Sequence, residues 1–513
     1  MGALANLLDM EGRVLRKADG LATRGLALLD RGRKYRAHRA ITRAYGAIEH
    51  GSARISRRPT EAAAVYGKIA RGYHGLLNPE AAWQAAQDGL SFDPRNPDAL
   101  EITGLIQLSR GEPKDALASF DRALKSAPQV PSLWTFRGDA AVAAGKKDEA
   151  IASYHKVAAL APDDTENYEK LLKLTPQDAE RWIRKAEAHA RKDEADDALH
   201  AFDRALRLAP DRVEAWAGKA SVHESAKQYD RALRCLEKAI SIDDLNAGLW
   251  YRKAQVLESA GAHEDALKAY DSSLERNPQD VRTWGSRGEL LVSLNRPDEA
   301  VHSFDGALKI DPRNVGVLDG KRRAYRAMGK WDGLEKVSAQ IAALEPSRHD
   351  ALFTRAEALV HLGRLEEAAV AEDAFLAAQP HSYDGLELRR ETMKALHRWP
   401  DLAAACAAIL EVQPRDAAVL KDLGLAHGST GAFRESLAAY DAALSAAPND
   451  LEAWRGKRDA LDGLKDARAL VRICDSILAV DPRDLPTWRA KGRAHEGLNQ
   501  PDDALAAYDS AVR

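Results

Sequence analysis

Cysteine is almost missing from this chain, at three residues in 513. Three thiols can build neither a disulfide framework nor a four-ligand zinc site, so a reduced, cytoplasmic setting is expected. Aromatic residues are also scarce, at 6%, and Ala-rich stretches such as 403–408, interrupted by Cys406, suit thin, closely packed helices. No apolar run approaches the ~20 residues of a membrane span. With 30% charged residues and a mean hydropathy of -0.44, a transmembrane protein is excluded. The leader-like residues Leu4, Leu7 and Leu8 are cut short by Asp9 and Glu11, so no secretory apolar core forms. Asn6 stands where myristoylation needs Ser or Thr. The G-x-x-x-x-G-K-[ST] and H-E-x-x-H patterns are both absent, because the His-Glu pairs at His223, His263 and His495 lack a second histidine. No catalytic residue, cofactor or metal is therefore expected, and the chain reads as a non-enzyme.

What is present is periodic. Pro94, Pro128 and Pro162, then Pro176, Pro210, Pro278, Pro312, Pro346, Pro380, Pro414, Pro448 and Pro482 mark nodes spaced by 34 residues. Asp244 takes the place of proline at one node, and the interval from Pro162 to Pro176 is only 14 residues. Six residues past most nodes stands a large apolar side chain, among them Trp134, Trp182, Trp216, Trp250, Trp284, Trp454 and Trp488. Ten past the node the side chain is usually small, as in Gly104, Gly138, Ala186, Gly288 and Gly492. Alanines follow at 22 and 29 past the node, and spacings of three, four and seven within each unit are those of helix faces. Near position 17, Gly111, Gly145, Gly261, Asn295, Gly329, Gly363, Gly431 and Asn499 tolerate a left-handed cap. Each unit thus reads as helix, turn, helix.

The pattern resembles the tetratricopeptide repeat, whose motif is matched in one unit by Trp284, Gly288, Asn295, Ala300, Phe304, Ala307 and Pro312. The resemblance implies an all-α fold, an α-α solenoid superhelix of stacked 34-residue helix-turn-helix repeats. Four segments are expected. Residues 1–62 form a basic helical N-terminal region with a degenerate repeat, in which Leu21, Gly25, Leu28, Gly32, Ala37, Ile41 and Ala44 keep the offsets. Residues 63–162 form a first block of three repeats. Residues 163–178 hold a single short helix around Tyr168, Leu171, Leu172 and Leu174, which breaks the solenoid and turns its axis. Residues 179–513 carry about ten repeats, the last incomplete, whose uncapped second helix implies a fragment or a covering partner or copy.

The resemblance also implies that first helices line a concave wall through positions 4, 7, 11, 14 and 15 after each node. Over twelve nodes those slots hold 19 acids and 9 bases. The candidate partner-binding residues are Glu101, Asp139, Glu180, Ile183, Glu187, Glu214, Glu224, Tyr251, Gln255, Glu258, Glu289, Phe353 and Glu357, and an extended basic peptide with apolar anchors suits them. The acidic excess is concentrated in the N-terminal half. The Lys, Asn and Arg arrangement with which one subclass grips acidic tails does not transfer, because no Asn stands at position 11. A basic ladder at position 9, including Arg137, Lys185, Lys219, Lys253, Arg287 and Lys321, reads as aliphatic stems packing between units with charges reaching neighbouring acids. Histidines at position 13, namely His189, His223, His427 and His495, read as packing residues with one polar edge.

Residues 1–62 differ in charge, with 13 bases and 6 acids, and their densest cluster is Arg31, Arg33, Lys34, Arg36, Arg39 and Arg43. The main reading is a scaffold for protein or peptide partners; the alternative is an adaptor binding nucleic acid or an anionic membrane through 1–62. One further regularity is a 68-residue superperiod. At position 10 stand Arg322, Arg390 and Arg458; at 22, Leu334, Leu402 and Leu470; at 29, Ile341, Ile409 and Ile477. At position 26, where other units carry an aromatic ring, these have Ser338, Cys406 and Cys474. Volume lost at position 26 is expected to offset volume gained at the Leu and Ile slots.

Overall fold

The computed structural model describes residues 2–50 and 58–512, with side chains from residue 12 onward. The described residues form 29 helices and no strand, an all-α solenoid of stacked helix pairs. The chain divides into two compact units, residues 1–266 and 267–513. First helices begin at Pro97, Pro131, Ala179, Val213, Ala247, Val281, Val315, His349, Tyr383, Ala417, Leu451 and Leu485, each three residues past its node. The earliest regular pair starts at Pro59 rather than 63, because the proline opens the helix four residues sooner.

Local signals explain why the helices start and stop where they do. At most nodes the residue two past the node caps the first helix, although Val130, Arg212 and Arg348 make no side-chain cap there. Asn96 accepts the Ala99 N–H at 2.9 Å, and Asp416 accepts that of Ala418 at 2.9 Å, bonds worth ~1 kcal/mol each. Position 17 is left-handed throughout, with φ between 58° and 80° at the Gly and Asn residues that the sequence singles out. Leu77, Asp193, Lys227, His397 and Lys465 adopt the same conformation at the same position, although their Cβ atoms penalise it. The helix-turn-helix connection imposes the geometry whether or not the side chain favours it.

The core is built by one contact repeated along the chain. A Cβ on Gly104 would lie 2.6 Å from the Phe120 ring, one on Gly138 2.4 Å from Tyr154, and one on Gly288 2.6 Å from Phe304. The aromatic ring at position 26 therefore lies flat against the backbone of its own first helix. It also meets the next first helix, since Gly218 is as close to Phe202, Gly320 to Phe304 and Gly456 to Tyr440. The rings of Phe120, Phe202 and Phe304 are fully buried, and each stabilises its interface by ~2–3 kcal/mol. Within residues 1–62, the helices α1 (Gly2–Asp30) and α2 (Lys34–Glu49) turn at Gly32 with φ 70°. There, Ile41 lies where a Cβ on Gly25 would be 2.5 Å away, so the same contact is made with an aliphatic side chain. Residues 51–57 of that segment lie outside the described residues.

Between the helices Lys147–Leu160 and Ala179–Arg191 stands one ten-residue helix, Thr165–Leu174. Its Tyr168 and Leu171 join Leu133, Tyr154 and Ala188 in a single apolar cluster. Asn167, 1% exposed, donates to the Tyr154 carbonyl at 3.0 Å. The unpaired helix is thus built into the core of the first unit.

The alternate units of the second half use a different contact. Leu402, Cys406 and Ile409 are fully buried in one cluster, but the place of the ring is taken by the arginine at position 10. Arg390 reaches Asp422 of the following first helix, Arg322 reaches Asp350 at 2.7 Å, and Arg458 reaches Thr487 at 2.7 Å. The volume exchange therefore involves the arginine as well as the Leu and Ile slots named from the sequence. Burial pushes the Cys406 thiol up to about 12, with Asp422 adding to the rise and Arg390 opposing it. Cys406→Phe is expected to destabilise the protein by ~1–3 kcal/mol through overpacking. Combining it with Arg390→Gly, which recreates the ring-on-glycine pair, should recover part of that loss in urea denaturation. Simple additivity of the two changes would show that they do not share one space.

Candidate functional site

The basic ladder at position 9 is fully engaged by the fold. Most of these cations reach an acid 16 residues earlier, on the preceding helix, and Arg355 reaches Glu335, 20 residues earlier, at 3.0 Å. Arg137 pairs with Asp121 at 2.7 Å, Lys219 with Asp203 at 2.5 Å, Lys321 with Asp305 at 2.6 Å and Lys491 with Asp475 at 2.6 Å. Several ammonium groups also lie over the indole at position 6, as Lys253 does over Trp250 at 5.6 Å. The indoles are fixed in turn, because Trp134, Trp216 and Trp488 donate from Nε1 to the carbonyl of their node proline at 2.8–2.9 Å. Asp244 serves Trp250 in the same way at 3.1 Å, since only a backbone oxygen is required. These lysines and arginines hold successive units together and are not a free anion track.

The acidic slots of the first helices are also partnered. In the first unit Glu101 accepts from Arg71 at 3.1 Å, and burial raises its pKa against the pull of that arginine. Asp139 accepts from the Tyr154 hydroxyl at 2.6 Å and from Lys170 at 2.9 Å. Arg184 bridges Glu180 at 2.9 Å and Glu187 at 3.1 Å, while Arg212 contacts both Glu180 and Glu214. Glu224 lies 3.8 Å from Arg252. Gln255 is exposed and donates to the Tyr251 hydroxyl at 3.1 Å; Glu258 is half-buried. In the second unit Glu289 pairs with Arg323 at 2.5 Å and Glu357 with Arg326. Phe353 packs on Phe375 with ring centroids 5.3 Å apart.

Two corrections to the slot reading follow. Ile183 is 1% exposed and belongs to the core beside Phe202, so it offers no contact surface. The wall is also less acidic than the slot count, because Arg184 and Arg252 at position 8 and Arg212 at position 2 were not in the count, yet their long side chains reach the counted acids. Their signal in the sequence was the spacing of four between Glu180 and Arg184, an intrahelical pair.

Where Glu180 and Glu187 meet the unpaired helix, a pocket of about 490 Å3 opens. Its floor is apolar, from Ala158, Pro162, Tyr168 and Leu171, and its rim carries Glu180, Arg184, Glu187 and Arg191. The ten-residue helix Thr165–Leu174 is shorter than its neighbours of 13 and 14 residues and brings no second helix with it. Two candidate acids and the irregularity at 163–178 thereby converge on one cavity.

The histidines at position 13 share a polar edge: Nδ1 of His223 lies 3.0 Å from Gln228 and that of His495 2.9 Å from Gln500. At His189 the partner is Glu194 at 2.5 Å, and with Asp197 these side chains place three donor atoms within 4.8 Å. Both carboxylates are exposed, and the imidazole nitrogen is already bonded to Glu194, which makes this a tethered helix end rather than a cage. All three cysteines are buried and free. Among the described residues no helix is long and apolar enough to cross a membrane.

The sequence matches the tetratricopeptide repeat family in overlapping segments, 52–131, 103–165, 166–212, 183–247, 220–281, 251–315 and 323–383, which together span more than half of the chain. Solved structures with partial likeness include YrrB, a tetratricopeptide repeat protein with an unusual peptide-binding site, at 23% identity over 37% of this chain and 97% of that one, TM-score 0.32. The C-terminal part of a repeat protein from Cytophaga hutchinsonii is 14% identical over 47% of this chain and 99% of that one, TM-score 0.39. A chain of the Naa15/Naa10 assembly bound to HypK-THB is 16% identical over 87% of this chain and 68% of that one, TM-score 0.32. No curated protein matches the chain.

The wall pairs have a measurable acid signature. Burial would raise the pKa of Asp350, but hydrogen bonds from Arg348 and Arg322 bring it down to about 2. A depressed carboxylate stabilises the fold above its unfolded pKa of ~3.9, and that contribution is lost as the pH falls through the folded value. Arg322→Met is expected to unfold at lower urea than the parent at pH 6. The gap should close between pH 4 and pH 2 as Asp350 protonates, and a gap independent of pH would show that the pair does not set it.

Proposed function

The chain belongs to the tetratricopeptide repeat family, and we propose that it is a non-enzymatic scaffold whose first-helix wall receives an extended peptide segment of a protein partner. Tetratricopeptide arrays serve as protein-interaction scaffolds, and the observation that carries the finer reading is the pocket of about 490 Å3 beside Thr165–Leu174. An apolar side chain of the peptide fills its floor on Tyr168 and Leu171, while basic side chains flanking that anchor face Glu180 and Glu187. Because Arg184 already bridges those two acids, the anchor supplies affinity and the charges supply orientation. In this reading residues 63–162 and 179–513 are the two arrays, 163–178 is the junction that creates the pocket, and the protein works in the cytoplasm. The alternative, nucleic acid or an anionic membrane held through residues 1–62, is favoured only by the basic charge of that segment.

A fluorescent array of Lys- and Arg-containing peptides with single Leu, Phe or Trp anchors, read by anisotropy, tests the proposal. Ala159, exposed at the pocket wall, can be replaced by Trp to fill the cavity without touching the core. Ala159→Trp is expected to weaken anchored peptides at least tenfold, and Glu180→Gln with Glu187→Gln about threefold, with a shallower salt dependence. If neither change alters binding, while 50–200 mM salt abolishes it and oligonucleotides or anionic vesicles compete, the alternative holds instead.

A further inference from the structure

Between α1 and α2 lies a cleft of about 500 Å3. Arg24 comes from α1, Arg31 and Arg33 from the turn, and Arg36, Arg39 and Arg43 from α2. All six are exposed. Leu21, Leu28 and Ala40 form an apolar floor beneath them. Many arginines elsewhere are tied to carboxylates, as Arg184, Arg287 and Arg455 are at 2.6–3.1 Å. None of the six guanidinium groups has an ion-pair or hydrogen-bond partner among the described residues. Like charges gathered in a recess repel one another, and the buried side of α2 is made without them, by Ala37, Ala40, Ile41, Ala44 and Ile48.

The spacing gives the cleft a direction. On α2, Arg36 and Arg43 are seven residues apart, a row of guanidinium groups about two helical turns long, ~10 Å, and Arg24 of α1 with Arg31 and Arg33 of the turn makes up the second row. The leucines run between the rows. We propose that this cleft docks an acidic amphipathic helix of a partner protein, its Glu and Asp side chains fanning onto the two arginine rows and its apolar stripe resting on Leu21 and Leu28. Guanidinium forks bind carboxylates in pairs of parallel hydrogen bonds, and a helix in a groove presents anchors at the matching three-, four- and seven-residue spacing. A nucleic-acid strand would leave the leucine floor unused and finds no aromatic side chain lining the cleft on which to stack a base. A lipid surface is flat and would meet only the rim. The inference is independent of the wall and pocket in the later helices.

The test uses the full chain and a labelled 14-residue helical peptide with Glu on both flanks of a Leu stripe, alongside a scrambled peptide of the same composition. Anisotropy should give saturable binding, at least threefold weaker for the scramble. Arg36→Glu with Arg39→Glu, both exposed and unpartnered, should lower affinity at least tenfold with an unchanged circular dichroism spectrum. Leu28→Ser should weaken the helical peptide but not inorganic polyphosphate, whereas Glu180→Gln should change neither. Equal binding of the scramble, or of polyphosphate or a single-stranded oligonucleotide competing regardless of Leu28, would overturn the proposal in favour of a charge-only site. Absence of saturable peptide binding, or binding that survives the charge reversal, would overturn it outright.

Discussion

A flat ring held between two first helices sets the spacing of the stack. The backbone comes within van der Waals reach of Phe120, Tyr154 and Phe304 because a glycine stands at position 10 of those units, and an alanine there, Ala186, still admits the buried ring of Phe202. Once that approach is fixed, the rest follows from neighbouring geometry. The indole at position 6 falls over its own node carbonyl, the cation at position 9 falls beside the acid of the preceding second helix, and the left-handed residue at position 17 returns the chain for the next pass. Because each contact joins a unit only to its neighbours, stability is a sum of local interfaces. Apolar burial supplies most of it, since exposed ion pairs contribute only ~0–1 kcal/mol each.

Charge does a different task here. The array carries nearly equal numbers of basic and acidic residues, 75 and 78, and the described pairs run mostly between successive units rather than along single helices. Arg71 with Glu101, Lys170 with Asp139, Arg323 with Glu289 and Arg493 with Asp462 each tie one first helix to the next. Such pairs select register, because a slipped unit would leave its carboxylates facing one another. The arginines between α1 and α2 stand apart from this scheme, because no carboxylate of the described residues pairs with them.

Much of the fold was legible because proline spacing, small residues at position 10 and turn residues at position 17 are each demanded by backbone geometry. The turns at Leu77, Lys227 and His397 were hidden, since the loop forces on them a conformation that their side chains do not signal. The N-caps at Asn96 and Asp416 were open to view but masked by the stronger proline period. The site was read less well. Counting slots assigned charge by position, whereas Arg184, Arg212 and Arg252 act through reach, and a side chain of four or five bonds crosses from one slot to another. Ile183 shows the opposite error, an apolar residue at a wall position that the chain turns inward. The pocket beside Thr165–Leu174 needed three dimensions, since its walls come from elements on both sides of an irregular interval.

The alternation of interfaces bears on how such a chain can lengthen. In the second half, interfaces that seat a ring on a glycine, as Phe304 meets Gly320 and Tyr440 meets Gly456, are followed by ones that pass an arginine to an oxygen, as Arg322 meets Asp350 and Arg458 meets Thr487; between Arg322 and Arg390 the ring position holds buried Glu372, which accepts from Thr392. Inserting or removing a single repeat would bring a ring against a carboxylate or an arginine against a bare glycine. A gene copying error of 68 codons keeps the two kinds of unit in alternation, while one of 34 sets two like units side by side at one junction. Growth by doublets would therefore disturb the fewest interfaces.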